Sequence, residues 1–273
     1  MFGSKAKKNG FEAAFGTLAL IYHSAVRKVR DKHRNAFVSI GVTILQAFIM
    51  LAVFMVMFLV LGLRGTTIRG DFFLYILSGV FLYLTHIRVV NTIANSEGPT
   101  SPMMKHAPMN TGISVASTAL SSLYVSVLAV ILMLYFYNVL FARIYIYDPV
   151  GVFGMFLLAW FFGVAVGLIF LAMKPWAPTL TQTLVRIYTR ANMITSGKMF
   201  VANSLPAWML AIFDWNPLFH TIDQARGYMF INYFPHNSSW KYALIVSIVL
   251  LGIGMLLEFY TRKKASLSWS ATQ

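Results

Sequence analysis

Long apolar runs, separated by short polar segments, are the main pattern along this chain. About 20 apolar residues in a helix are enough to cross the hydrocarbon core of a bilayer. Six runs approach that length, and we predict them as spans at residues 36–63, 72–94, 113–141, 150–173, 180–201 and 242–260. The pattern therefore predicts an all-α membrane protein with six transmembrane helices, whose membrane domain covers residues 36–273.

A different pattern precedes the first run. Between Phe11 and Val29 apolar residues recur at helical spacing, while cations crowd the segment from Arg27 to Arg34. This arrangement predicts that residues 1–35 form a cytoplasmic tail and an amphipathic helix lying in the membrane interface. A plain cytoplasmic helix packed against a partner is the alternative.

The segment before the last run is broken by prolines. Pro206, Pro217 and Pro235 divide residues 203–235 into moderately apolar pieces that are too short to cross a membrane separately. We therefore predict re-entrant or interfacial helices here.

Composition supports the membrane assignment and gives an orientation. The chain is 58% hydrophobic and 11% charged, with a mean hydropathy of +0.69, whereas soluble proteins carry about 25% charged residues. Most of its 22 Lys and Arg residues lie on the side of the N-terminus, so the positive-inside rule predicts that both termini are cytoplasmic. The net charge of +14 does not indicate nucleic-acid binding, which needs a basic face on a soluble fold.

No segment of the sequence has a motif for hydrolysing a nucleotide or for other catalysis. Gly197 and Lys198 are followed by Met199, so they do not form a phosphate-binding loop, and no metal motif or nucleophile triad is present. We therefore predict no catalytic residue, metal or cofactor in this chain. ATP and magnesium would be held by a separate subunit. A proton-coupled transporter is expected to keep a carboxylate at mid-membrane, and most of the eight acids fall in loops or at span ends.

The fifth predicted span carries cations. Arg186 and Arg190 are four residues apart and share one helix face, and Lys198 lies about two turns further on. We predict that these residues, with Tyr188 in the same segment, line a conduit for an anionic substrate. The alternative is that the arginines extend to lipid headgroups.

Two further features leave alternatives open. Aromatic residues beside the broken segment, such as Trp208, Trp215, Tyr228 and Tyr233, suit sugar rings, but an interfacial aromatic belt is the more usual reason for such residues. A short helix at residues 97–106 is predicted either to insert into a groove on an ATPase or to be an ordinary loop.

A motif near the C-terminus resembles a known family. The run Trp215-Asn216-Pro217-Leu218-Phe219-His220, followed by Arg226, resembles the W-N-P-L-x-H … R signature of type-2 ABC exporter permeases. The likeness is closest to capsular polysaccharide export permeases of Gram-negative bacteria. It covers about a third of the chain, and the remainder matches by layout.

The resemblance implies a homodimer in the bacterial inner membrane with two copies of an ABC ATPase. It implies export of a lipid-linked, often acidic polysaccharide, delivered to periplasmic and outer-membrane export proteins. It places a periplasmic gate at Trp208, Trp215, Asn216, Pro217, His220 and Arg226, and ATPase coupling at Glu97, Lys105 and His106. One departure is Asp223, which stands where the family usually has the Glu of E-x-x-R.

Other functions compete with this interpretation. An exporter of O-antigen, teichoic acid, a drug or a small lipid would have the same layout. An ion-coupled transporter or channel would need no ATPase. A membrane enzyme acting on a polyprenyl carrier would need a convergent acid or metal site.

Overall fold

The computed structural model describes residues 10–31, 38, 41–42, 44–46, 48–49, 52–53, 56, 71–98, 101, 110–140 and 143–270, and these contain no β-strand. The helices are α1 Gly10–Asp31, α2 Phe72–Ala94, α3 Thr111–Leu140, α4 Pro149–Met173, α5 Pro178–Thr195, α6 Ala207–Phe213, α7 Pro217–Met229 and α8 Trp240–Ser270. A 3-10 turn, Ala202–Ser204, lies between α5 and α6.

Four of these helices are long and apolar enough to cross a membrane. They are α2, α3, α4 and residues Trp240–Lys264 of α8. The predicted all-α membrane class is therefore confirmed, whereas six spans remain a prediction. Most of the first predicted span, 36–63, lies outside the described residues, although the described positions between 38 and 56 are helical.

The observed helix in the predicted fifth span, α5, ends before the apolar run does. A continuous helix to residue 201 is wrong, because α5 ends at Thr195 and Gly197 has φ of 70°. This left-handed conformation is tolerated by glycine and strained for other residues. A Cβ at Gly197 would also collide with the ring of Phe219. The chain therefore turns at this point.

Hydrogen bonds define one end of the helix bundle, which we call the upper end. The hydroxyl of Tyr137, near the end of α3, donates to Asp71 before α2 at 2.7 Å. The amide of Asp148, before α4, donates to the carbonyl of Tyr228 in α7 at 2.8 Å. The N-termini of α2 and α4 thus lie beside the C-terminus of α3.

Hydrogen bonds also link the helices at the opposite end of the bundle, which we call the lower end. Thr261 in α8 donates to the carbonyl of Ala172 in α4 at 3.2 Å. Lys174, after α4, donates to the carbonyl of Ser96, after α2, at 3.4 Å. The four long helices therefore run between two common ends: α2, α4 and α8 from the upper to the lower end, and α3 in the opposite direction.

Glycines allow close packing at the centre of the bundle. A Cβ at Gly163 in α4 would lie 2.9 Å from the carbonyl oxygen of His86, and one at Gly167 would lie 2.9 Å from Cβ of Ile93. Small residues let helix backbones approach in this way. As a result α4 packs directly on α2, which is largely buried.

The N-terminal helix packs on α3, and one of its lysines forms hydrogen bonds across the contact. Nζ of Lys28 donates to the carbonyl of Ser114 at 2.8 Å and to the hydroxyl of Thr118 at 2.5 Å. Phe11, Phe15, Leu18 and Tyr22 on the same helix are exposed. The predicted helix is confirmed, and its exposed apolar residues are of the kind an interfacial helix requires. Its location at a membrane surface remains a prediction.

Candidate functional site

Helix α5 has three distinct faces. Thr181, Val185 and Asn192 are buried against the bundle. An exposed apolar face carries Leu180, Ile187 and Ile194. The third face is exposed and, between Thr179 and Arg190, polar; we call these five residues the polar arc: Thr179, Gln182, Thr183, Arg186 and Arg190. With 3.6 residues per turn, these five positions lie within about 100° around the helix axis.

Arg186 and Arg190 are the charged members of the polar arc. Both are exposed, and neither forms an ion pair or hydrogen bond within the part of the chain that the structure describes. Two adjacent cations repel each other unless counter-charge or water surrounds them. The arc therefore presents two positive charges outward from the bundle.

Tyr188 does not join this arc. Its side chain lies on the opposite side of α5, and its hydroxyl is 2.8 Å from Nε2 of His86. Nδ1 of His86 is 3.1 Å from the carbonyl oxygen of Ala159, which can only accept, so Nδ1 carries the hydrogen and Nε2 accepts from Tyr188. Tyr188 thus holds α5 on α2, and the structure separates it from the arginines.

Lys198 is also separated from the arginines. It lies beyond the end of α5, and it is 2% exposed. Its ammonium is 3.6 Å from the centroid of the Tyr83 ring, a distance typical of a cation–π contact. The predicted alignment of Lys198 with the arginine face is therefore wrong, because the helix that would align them ends at Thr195.

The side chain of Arg226 in α7 forms hydrogen bonds to the turn that follows α5. Its guanidinium donates to the carbonyl oxygens of Gly197 at 2.9 Å, Phe200 at 2.5 Å and Lys198 at 2.6 Å. The same group lies 4.4 Å from the Tyr75 ring centroid, and Arg226 is 0% exposed. We call these four residues, Arg226, Gly197, Lys198 and Phe200, the arginine clamp. The guanidinium fork suits several carbonyls at once, which an ammonium does not.

Asp223 lies one turn before Arg226 and joins the neighbouring segments. Its carboxylate accepts from the hydroxyl of Tyr233 at 2.5 Å and from the hydroxyl of Ser238 at 2.7 Å. The amide of Ala202 is 3.4 Å away. Asp223 is 1% exposed, and it holds the segments on both sides of α6 and α7.

The start of α7 is fixed by Asn216 and Pro217. The Asn216 side-chain oxygen accepts from the amide of Leu218 at 3.0 Å, and its amide group donates to Asn192 and Thr195 of α5, also at 3.0 Å. Proline suits the first turn of a helix, because no partner is needed for a backbone N–H there. This part of the motif positions α7 against α5.

His220 links the loop before α7 to α8. Nε2 donates to the carbonyl oxygen of Asp214 at 2.7 Å. Nδ1 accepts from the amide of Ser239 at 3.1 Å. Trp208 and Trp215, by contrast, are 66% and 81% exposed. Asn216, Pro217, His220 and Arg226 of the motif thus organise the backbone, whereas Trp208 and Trp215 face outward.

The residues predicted for ATPase coupling are only partly described. Glu97 is exposed and non-helical, after α2 has ended at Ala94. Lys105 and His106 lie outside the described residues, as does most of the predicted helix at 97–106.

Sequence reasoning missed the His86–Tyr188 pair and the three donors to Asp223. A histidine inside an apolar run is the signal for the first, because a buried imidazole needs partners. The donors to Asp223 come from segments distant along the chain, and no local pattern indicates them. No protein-family model matches this chain, and no curated protein sequence is similar to it.

Proposed function

We propose that this chain is the membrane-spanning subunit of an ABC exporter that moves a lipid-linked, acidic polysaccharide out of the cytoplasm. It works as a homodimer with two copies of a separate ATPase. The proposal combines the membrane fold with the sequence motif and with the chemistry of the polar arc.

The polar arc is the observation that carries this proposal. A cation facing lipid near the bilayer centre costs about 3 kcal/mol on insertion scales, so such residues usually face a cavity or another protein surface. In the described part of the chain nothing covers Arg186 and Arg190. A second copy of the chain would place two such arcs around one water-filled path. Four cations along that path would attract an acidic glycan and its phosphate linker.

The arginine clamp supports a mechanical role for the upper end. It ties α7 to the turn at the end of α5, and Asn216 adds a second tie between the same helices. A rotation of α5 would therefore carry α7 and the adjoining short helix α6 with it. ATP-driven movement at the lower end would in this way open a gate formed by α6 and α7 at the upper end.

The positions of the acids do not favour ion-coupled transport. Among the described acids, Asp71 and Asp148 cap the first turns of helices, and Asp223 is engaged by three donors. Glu258 in α8 is largely buried, but it lies near the lower end of that helix, with its carboxylate 4.0 Å from Arg262. A proton-coupled mechanism needs an acid that gains and loses a proton within the membrane. The exporter proposal needs none, because the energy comes from the ATPase.

The test is export in cells that carry substituted chains. Arg186→Gln with Arg190→Gln removes both charges of the arc from exposed positions, so the fold is preserved. We expect the polysaccharide to accumulate inside the cell. The matched control, Lys263→Gln with Lys264→Gln, removes two exposed charges from α8 and should retain export. Analysis of the trapped polymer also distinguishes capsule from O-antigen or teichoic acid.

Normal surface polysaccharide in the double arginine variant would refute the role of the arc. Equal loss of export in both double variants would also refute it, because net charge and not the arc would then be the cause.

A further inference from the structure

A pocket of about 550 Å³ lies at the upper end, between the α6–α7 connection and the start of α8. This volume is within the range of pockets that bind small molecules. The pocket is distinct from the polar arc of α5. Trp215 and His220, which line it, belong to the proposed gate, but none of the roles described above gives the pocket a ligand.

The floor of the pocket is fixed by hydrogen bonds. His220 bonds on one side to the backbone of Asp214 and on the other to the backbone of Ser239. The hydroxyl of Tyr242 donates to the carbonyl oxygen of Trp215 at 3.1 Å, and its ring meets that of His220 edge to face at 4.7 Å. With both ring nitrogens engaged, His220 supports the pocket and does not bind a ligand itself.

The rim of the pocket carries the groups that are open to a ligand. The Trp215 indole is 81% exposed. The side chain of Asp214 is 57% exposed, with one carboxylate oxygen 3.4 Å from Nε2 of His220, and His236 and Asn237 are also exposed. An aromatic face beside a carboxylate, an imidazole and an amide offers one apolar surface and several hydrogen-bonding groups.

We propose that this pocket binds one uncharged sugar residue of a glycan at the upper end of the protein. The apolar face of a pyranose ring would stack on Trp215, and its hydroxyls would bond to Asp214 and Asn237. An acidic sugar is disfavoured there, because its carboxylate would meet that of Asp214. The source of the glycan rests on the proposed export function, whereas the binding chemistry does not.

A polymer that contains both acidic and uncharged sugars would then be bound at two separate sites. Acidic residues of the polymer would pair with the polar arc within the membrane. Uncharged residues would occupy the pocket as the chain emerges at the upper end.

Binding to the purified full-length chain tests the pocket directly. The protein is held in lipid nanodiscs without maltoside detergents, because their sugar heads would compete. Saturation-transfer NMR is recorded with glucose, N-acetylglucosamine, glucuronate and choline. We expect saturation of the two uncharged sugars and little of glucuronate. Choline tests whether the pocket is instead an aromatic site for a quaternary ammonium group.

Three variants define the site. Trp215→Ala should weaken binding of glucose about tenfold through loss of the aromatic face. Asp214→Asn should allow glucuronate to bind as well as glucose. Phe234→Ala is the matched control, because Phe234 is also exposed near the upper end, at 71%, but does not line the pocket. It should bind as wild type.

Equal glucose binding by wild type and Trp215→Ala, displacement of glucose by choline, or no sugar binding at all would each overturn the proposal. The export assay separates this failure from that of the proposed function. If export depends on Arg186 and Arg190 but the protein binds no sugar, only the pocket proposal is refuted. Sugar binding with normal export in the double arginine variant refutes the role of the arc and leaves the pocket in place.

Discussion

The guanidinium of Arg226 donates a hydrogen bond of 2.6 Å to the backbone carbonyl of Lys198. The two residues belong to different segments, one in α7 and one in the turn after α5. Since Gly197 and Phe200 are held by the same side chain, Arg226 determines how the chain passes from α5 into α6. The motif Arg is therefore a backbone-organising residue.

Arg226→Lys should destabilise the protein. An ammonium cannot satisfy the three carbonyls together, and each buried carbonyl left without a donor costs about 1–3 kcal/mol. We expect about 3 kcal/mol lower stability from chemical unfolding in detergent. Arg143→Lys is the control, because Arg143 is exposed. Equal stability of Arg226→Lys and wild type would show that the clamp is not needed for the fold.

Gly79 in α2 should not tolerate a side chain. Alanine normally stabilises a helix interior by about 1 kcal/mol relative to glycine. Here a Cβ would lie 2.7 Å from the carbonyl oxygen and 2.8 Å from Cα of Lys198. We expect Gly79→Ala to lower the unfolding free energy by about 1–3 kcal/mol.

Gly154→Ala in α4 is the matched control for that substitution. Nothing lies within 4 Å of a Cβ at Gly154, so this variant should be as stable as wild type or slightly more stable. A Gly79→Ala protein that is no less stable than Gly154→Ala would contradict the close approach of α2 to the clamp.

The docking of α1 on α3 should depend on pH. Burial lowers the pKa of the Lys28 ammonium to about 8 from 10.5, and the carboxylate of Glu97 partly opposes this shift. An undocked Lys28 keeps its proton up to its ordinary pKa, whereas a docked one releases it near pH 8. Between these values docking releases a proton, so rising pH favours the docked helix.

This dependence can be measured by the distance between two spin labels. The chain has no native cysteine, and Tyr22→Cys with Leu120→Cys places labels at exposed positions of α1 and α3. We expect the short-distance population to grow between pH 8 and pH 10.5. The growth should be absent when Lys28→Met is added. A docked population that falls over this range would contradict the assignment.

Water should reach the polar arc in the membrane. Arg186→Cys and Ile248→Cys both lie eight residues after the start of their helices, and both positions are exposed in the described chain. A membrane-impermeant thiol reagent should modify the first in intact proteoliposomes and leave the second unmodified, because we expect the apolar outer face of α8 to lie in lipid. If the reagent modified neither position, the arc would lie against lipid or protein and not in water, which would contradict the prediction.

The sequence was informative where local chemistry determines the structure. The fourth span is predicted to begin at residue 150, and α4 begins at Pro149, where the Asp148 carboxylate accepts from the amides of Val150 and Gly151. The apolar runs likewise predict α2, α3 and α8, because length and hydropathy suffice to define a long helix in lipid.

The site was less predictable because its contacts are not local. The apolar composition continues past Thr195, so it did not indicate the turn at Gly197. The burial of Lys198 against Tyr83 depends on that turn and was therefore not predicted either. Arg226 was recognised only as part of a motif. Its role depends on carbonyls at least 26 residues away along the chain.

The central claim is that this chain provides a charged path through the membrane and takes its energy from another subunit. The most direct measurement is glycan flux in proteoliposomes that contain the complex purified from its native membrane. We expect the complex to contain an ABC ATPase in equal number with this chain. We also expect flux of an acidic glycan that requires ATP and is lost in the Arg186→Gln, Arg190→Gln variant. Flux driven by an ion gradient through this chain alone, with nucleotide absent, would contradict this claim.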